Sequence, residues 1–207
     1  MALNALFPLC YFPPVSWFAA ACQQEVVYVD DFQPYQKQQL SSRMLIRASN
    51  RVLPLSIPVV RRGLRLPLCE KQISYAEDWP RHHWRSLVSA YHSTPYFEYY
   101  EDRLKELYES PGGNLGEFLK ETLQYCWKTL QMPAELRFTG YSPALKEVQR
   151  DYRFAFDPTG AQQLTGFTAL PYTQAFDGFV GGLTILDLLF SQGPESRPRF
   201  LTPAFQD

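Results

Sequence analysis

The 207-residue chain carries few of the signals that usually announce a function. Charge of neither sign dominates: 20 Lys and Arg stand against 21 Asp and Glu, a net of -1. Holding nucleic acid by neutralising phosphates needs a basic surplus, so no nucleic-acid partner is expected. Histidines number only 3, and the four cysteines (Cys10, Cys22, Cys69, Cys126) form no CxxC pair and no metal-ligand spacing. No metal and no cofactor is expected, and thiols among apolar neighbours read as free cysteines of a reducing cytosol. No apolar run approaches the roughly 18 residues of a membrane-spanning helix. The apolar opening, MALNALFPLCYFPPVSWFAAAC, has no Lys or Arg before it and is broken by Pro8, Pro13 and Pro14, which argues against a signal peptide. A cytoplasmic protein without a membrane span is the expectation. The phosphate loops GxxxxGK[ST] and GxGxxG and the GxSxG elbow are absent.

What the chain does have is aromatics and proline: 13 Tyr, 15 Phe, 4 Trp and 17 Pro. So many fixed corners favour short elements over long helices. Residues 6–11 read as a strand, 15–24 as a helix with an apolar face and 25–30 (EVVYVD) as a buried strand, a βαβ-like opening that suggests a parallel pair. Two strand candidates, 44–47 and 52–59, flank Ala48-Ser49-Asn50-Arg51. Further short strands are expected around Leu64, Leu66 and Leu68 and over 71–75. A mostly helical segment spans about 78–132. Its starts are marked by Asp78 with Pro80, by Thr94 with Pro95, and by the capping-box pair Asn114 and Glu117. A strand over 134–138 follows, then an uncertain stretch over 141–172, then an apolar helix over 183–190 stopped by Gly193-Pro194. The fold class is α/β, with α+β as the variant: one domain over 1–207, a mixed sheet covered by helices.

All three histidines lie between His82 and His92. His82 and His83 occupy a first helical turn, whose partial positive charge keeps an imidazole neutral. His82 reads as a surface residue. His83 shares the apolar face with Leu87 and Tyr91, so its ring needs either a structural partner or a chemical task, and both readings stand. Asp30 and Asp31 close a buried strand, and ligands of open α/β sheets collect beyond the carboxyl ends of strands. Gln33, Tyr35, Gln36, Lys37 and Arg43 follow. Carboxylates, amides and cations together suit an amphoteric or sugar-like ligand, or else pair among themselves. Asp187, inside LTILDLLF, needs an Arg or a backbone donor if buried. Gln174 precedes a DG turn, within reach of a ligand. Gly181-Gly182 either offers N–H groups to an anion or turns the chain.

Five ordered blocks then line up: FPLCYFPPVSWFAA, VVYVDDFQPYQKQQLSSRMLI, LSIPV, WPRHHWRSLVSAYHSTPYFEYY and QAFDGFVGGLTILDLLFSQGPES. Together they resemble the WbqC-like protein family, from about Phe7 to about Leu201, most closely over 11–43, 79–100 and 174–195. Matching positions include Tyr11, Asp31, Lys37, Arg43, His83, Trp84, Tyr91, Gln174 and Asp187. The first loop departs from the family's Pro-Asn-Tyr-x-Pro, having Cys10-Tyr11-Phe12-Pro13-Pro14 instead. The family takes its name from genes of O-antigen clusters. The resemblance implies a transferase of bacterial surface polysaccharide (O-antigen) biosynthesis, passing an aminoacyl (glycine) or acyl group to a sugar. It brings no established catalytic residue with it.

On that reading His83 is the general base and Asp31 orients it or the acceptor. Lys37 and Arg43 hold a phosphate or carboxylate of the donor. Tyr11, Gln33, Trp84, Tyr91, Gln174 and Asp187 complete the substrate site. The partner is a small molecule: an activated sugar, acyl or aminoacyl donor. The competing reading is a non-catalytic sugar- or protein-binding module, drawn from the aromatic run YHSTPYFEYY, which also suits an ordinary core. A cleft shared by Tyr96, Tyr99, Tyr100 and His83 favours the enzyme, and an exposed patch without a pocket favours the binding module.

Overall fold

The computed structural model describes residues 4–61, 66–140, 147–156 and 170–197. In chain order the elements are β1 (Asn4–Pro8), α1 (Val15–Ala21), β2 (Val26–Asp30), β3 (Arg43–Ala48), β4 (Arg51–Ser56), α2 (Trp79–Tyr91), α3 (Phe97–Glu109), α4 (Leu115–Thr129), β5 (Glu135–Phe138), β6 (Arg150–Asp151) and α5 (Ile185–Gln192). Short 3₁₀ turns lie at Leu68–Glu70 and Gly193–Glu195.

The β1–α1–β2 opening is a parallel unit, with Asn4 opposite Val26 and Pro8 opposite Asp30. β5 adds in parallel beside β2, and β6 in parallel beside β1, giving the order β5-β2-β1-β6. A parallel sheet is stable when both faces are covered, and the central strands meet that need with Ala5, Phe7, Val27 and Val29, all fully buried. α1 covers the sheet through Trp17 and Phe18. The Trp17 ring lies 4.8 Å from Phe7 and 6.2 Å from Trp127, and its indole N–H donates to the Pro8 carbonyl. α5 is buried from Ile185 to Ser191, and Phe190 packs 5.1 Å from both Tyr91 and Phe97.

The α/β class holds, but parallel and antiparallel strands do not share one sheet. β3 and β4 form a separate antiparallel hairpin, from Arg43 opposite Ser56 to Ala48 opposite Arg51, closed at Ser49-Asn50. α2 lies against β3. The strand expected over 71–75 is reduced to single bridges, Ile73 with Val59 and Gln72 with Asn114. Of the strand expected around Leu64, Leu66 and Leu68, residues 62–65 lie outside the described residues, and Leu68 starts a 3₁₀ turn. α3 begins at Phe97 rather than at Pro95, because the Thr94 hydroxyl bonds back to the Tyr91 carbonyl and prolongs the turn that ends α2. Within 141–172, residues 150–151 pair as β6, while 141–146 and 157–169 lie outside the described residues.

The start of α4 is fixed tightly. The Asn114 side chain accepts from the Glu117 N–H and donates to the Cys69 carbonyl, and the Leu115 N–H donates to the Lys71 carbonyl. This brings Gly116 onto the 3₁₀ turn. A Cβ there would sit 2.8 Å from the Cys69 Cα and 2.9 Å from the Leu68 carbonyl carbon, both backbone atoms. Gly116→Ala is therefore expected to cost about 1–3 kcal/mol through overpacking. Urea unfolding at neutral pH checks this; an unchanged midpoint would refute the close contact.

Candidate functional site at the carboxyl edge of the sheet

Adjacent residues of an extended chain point to opposite faces, and that splits Asp30 from Asp31 at the end of β2. Asp30 turns toward β6: its Oδ2 accepts from Arg153 Nη1 at 3.1 Å, and its Oδ1 accepts from the Phe32 N–H. Arg153 also forks onto Asp151, holding that carboxyl below its usual range. Asp31 turns the other way and is only 4% exposed. Its Oδ2 lies 2.7 Å from Lys120 Nζ of α4, and its Oδ1 accepts from the Gly140 N–H beyond β5.

A cavity of about 140 Å³ opens on the Asp30 side. That is room for roughly four to five waters, or one small organic group. Asp30, Arg153, Gln33, Ser41 and Cys10 line it, with Phe154 at its rim, 86% exposed. Gln33 is held by donating to the Leu9 carbonyl at 3.1 Å. Burial pushes the Cys10 thiol far above its usual range, so at neutral pH it is a protonated wall and no nucleophile.

His83 and Tyr11 meet elsewhere. The Tyr11 hydroxyl lies 3.0 Å from His83 Nδ1 and 2.6 Å from the Tyr108 hydroxyl, with Trp79 edge-on to the imidazole. The Ser56 backbone is a further hydrogen-bond partner of the ring. His83 is 5% exposed and lines neither this cavity nor the larger groove between α3 and α4. Burial lowers its pKa to about 4, so the ring is neutral at pH 7. Its partners are not those of Asp31, and the structure brings the two expected catalytic residues into separate clusters.

Tyr91, Gln174 and Asp187 form a third cluster. The fully buried Asp187 accepts through Oδ2 from the Tyr172 hydroxyl at 2.6 Å and from Gln174 Nε2 at 3.0 Å. Tyr91 hydrogen-bonds it as well, and burial raises its pKa. The expected Arg or backbone partner is thus replaced by phenols and an amide, with the Arg47 charge nearby favouring the ionised form. Gln174 also ties its own loop shut through Val180, donating to the carbonyl and accepting from the N–H. Gly182 adopts a positive φ and turns the chain.

Lys37 is exposed, and Arg43 donates to the Ser56 hydroxyl across the hairpin; neither lines the cavity. Trp84 is packed between Phe97 and Tyr108. The cation that does face the cavity is Arg153, which sequence reasoning missed. It lies 123 residues from Asp30, and its only local signal is the short alternation Asp151-Tyr152-Arg153. Among the described residues no group of three or more His, Cys, Asp or Glu is placed to hold a metal, and no helix is long and apolar enough to cross a membrane.

These features define an α/β protein with a small cavity, lined by polar and apolar groups together, at the carboxyl ends of a parallel sheet. The chain belongs to the WbqC-like protein family, whose model matches residues 10–151. The match begins after β1, takes in β2, β5, β6, the hairpin and α1 to α4, and ends before Arg153 and the Gln174–Asp187 cluster. Neither the curated proteins nor the solved structures contain a match to this chain.

His83 gives a pH test. Its folded pKa of about 4 lies below the ordinary 6.5, so the unfolded chain binds that proton first as pH falls. The stability tied to its neutral state is present above about pH 6.5 and is lost toward pH 4, on the order of 3 kcal/mol in all. Asp187 works in the opposite direction, but in the wild type and a His83 variant alike. The wild type minus His83→Gln difference in urea-unfolding free energy should therefore shrink between pH 7 and pH 4.5. A pH-independent difference would show that His83 is not buried as a neutral ring.

Proposed function

We propose that the cavity at the sheet edge binds a small zwitterion or its acyl group. The chain then acts as a transferase that passes an aminoacyl (glycine) or acyl group to a sugar of bacterial surface polysaccharide. The observation that carries the ligand class is the Asp30–Arg153 pair on a cavity of about 140 Å³. A guanidinium takes a carboxylate in a two-pronged grip, and a carboxylate takes an ammonium, so one small amino acid engages both groups. Gln33 and Ser41 add donors and acceptors. Phe154 offers an exposed ring beside Arg153 on which a sugar or base can stack. Asp31 faces away from the cavity, where Lys120 and Gly140 hold it, so it fixes the strand end that carries Asp30 and does not touch the ligand. The polysaccharide setting is carried by the family resemblance alone.

A specific observation favours the second reading, a non-catalytic sugar- or protein-binding module. His83 is held by Tyr11 and Ser56, and the Cys10 thiol stays protonated, so neither supplies a ready base or nucleophile to the cavity.

A thermal-shift panel of glycine, other small amino acids, acetate and nucleotide sugars tests the proposal. A ligand at about 100 times its Kd adds about 2.7 kcal/mol to the native state, which for a chain of this size raises Tm by about 5–10 °C. Glycine or a small acyl compound is expected to give that shift, and Arg153→Met and Asp30→Asn are expected to remove it. No shift across the panel, or one that both variants retain, would overturn the ligand assignment and favour the binding module.

A further inference from the structure

A second concavity lies away from the sheet. α3 and α4 run beside each other, with the Tyr125 hydroxyl reaching the Tyr100 carbonyl at 3.4 Å. The Gly193–Arg197 segment lies against the end of α4, where Arg197 donates to the Gln131 carbonyl at 3.1 Å. The groove so formed holds about 910 Å³, against about 140 Å³ at the sheet edge. That is near the upper end of ordinary ligand sites, large enough for a molecule of several rings. Tyr99 and Tyr100 line this groove, but neither Tyr96 nor His83 joins them.

The lining chemistry selects among ligands. Tyr99 is 79% exposed and stands edge-on to Tyr100, 4.8 Å between ring centres at 89°. A ring so exposed adds little to the core and presents an apolar face to the groove. Arg103, Lys128 and Arg197 are set against Glu106 and Glu121, so charges of both signs are interleaved. A polyanion would meet the two carboxylates, and an apolar helix would take the charged groups out of water while offering them no hydrogen bonds. A chain of hydroxyls donates to the carboxylates, accepts from the cations and lays the C–H face of its rings on tyrosine. Gln124 and Thr129 add groups that both donate and accept.

We propose that the α3–α4 groove is a binding site for an uncharged oligosaccharide, a chain of several pyranose rings. The proposal does not rest on the reading of the smaller cavity. Calorimetric titration of the full chain with linear hexasaccharides of glucose, galactose, mannose and N-acetylglucosamine tests it, with a hexamer of galacturonate as the acidic comparison. At least one uncharged hexasaccharide is expected to bind with Kd below about 1 mM, and more tightly than the galacturonate. Tyr99→Ala should weaken it about tenfold or more with an unchanged melting temperature, since that side chain is already in water. Arg153→Met should leave it unchanged. No uncharged hexasaccharide bound below about 1 mM, tighter binding of galacturonate, or binding that survives both Tyr99→Ala and Gln124→Ala would each overturn the proposal. Because Arg153→Met touches only the smaller cavity, the two sites can fail or succeed independently.

Discussion

The structure depends on a connecting loop that is buried. Leu9, Cys10, Tyr11 and Phe12, between β1 and α1, are each at most 1% exposed. A loop ordinarily runs over the surface because its backbone polar groups need water. Here other segments supply the partners. The Tyr11 N–H donates to the Leu40 carbonyl, and the Leu9 carbonyl accepts from Gln33. The Phe12 carbonyl accepts from the Thr184 hydroxyl, and the Pro13 carbonyl from the Ile185 N–H. Pro8, Pro13 and Pro14 have no N–H to satisfy, so the proline content of this chain lowers the number of donors the loop must bury. Phe12 takes a positive φ of 41, a backbone state that costs of order 1–3 kcal/mol and persists only where surroundings over-determine it. Thr184, which caps α5 and also donates its N–H to the Leu45 carbonyl, is one of those surroundings.

The same need for partners explains the two polar groups on the buried face of α2. His83 and Tyr91 are eight residues apart, about 12 Å along one face of the helix. Each meets the hairpin backbone: His83 at Ser56, at the end of β4, and Tyr91 by accepting the Arg47 N–H of β3 at 3.0 Å. Each then continues into a buried chain, through Tyr11 to Tyr108 in one case and to Asp187 in the other. Burying a polar atom without a partner costs about 1–3 kcal/mol, so these chains hold the hairpin, α2 and the loop in one register.

Much of the fold was legible because its signals are local. The opening strand–helix–strand, the β3–β4 turn, the Asp78 and Asn114 caps and the apolar α5 each follow from a few neighbouring residues. The separation of the hairpin from the parallel sheet was not legible, since no local pattern says which strands pair. Around the candidate site, the residues marked in the sequence after β2 divide. Asp30, Gln33 and Gln36 line the cavity, while Lys37 and Arg43 do not, and its cation, Arg153, comes from the turn that follows β6. Tyr91, Gln174 and Asp187, expected to share the substrate site, do come together, but as a buried cluster apart from the cavity. Composition and periodicity pick out residues that need a partner, and only the tertiary path decides who the partner is.

α4 links the large groove to the strand end beside the small cavity. Lys120 leaves it to reach Asp31 at the sheet edge, and one turn later Gln124 lines the large groove, about 6 Å further along the axis. The helix is rigidly placed at its start by Asn114 and by the contact of Gly116 with the Cys69 backbone. It is held along its length by buried Phe118, Leu119, Leu123 and Cys126. A group bound in the groove therefore sits on the same stiff element that fixes the Asp31 carboxylate. For an enzyme that passes a small group to a sugar chain, such an element would keep the chain and the reacting end in fixed relation. The groove would then supply binding energy remote from the reacting atoms, the kind of energy that can be spent on orientation at the sheet edge.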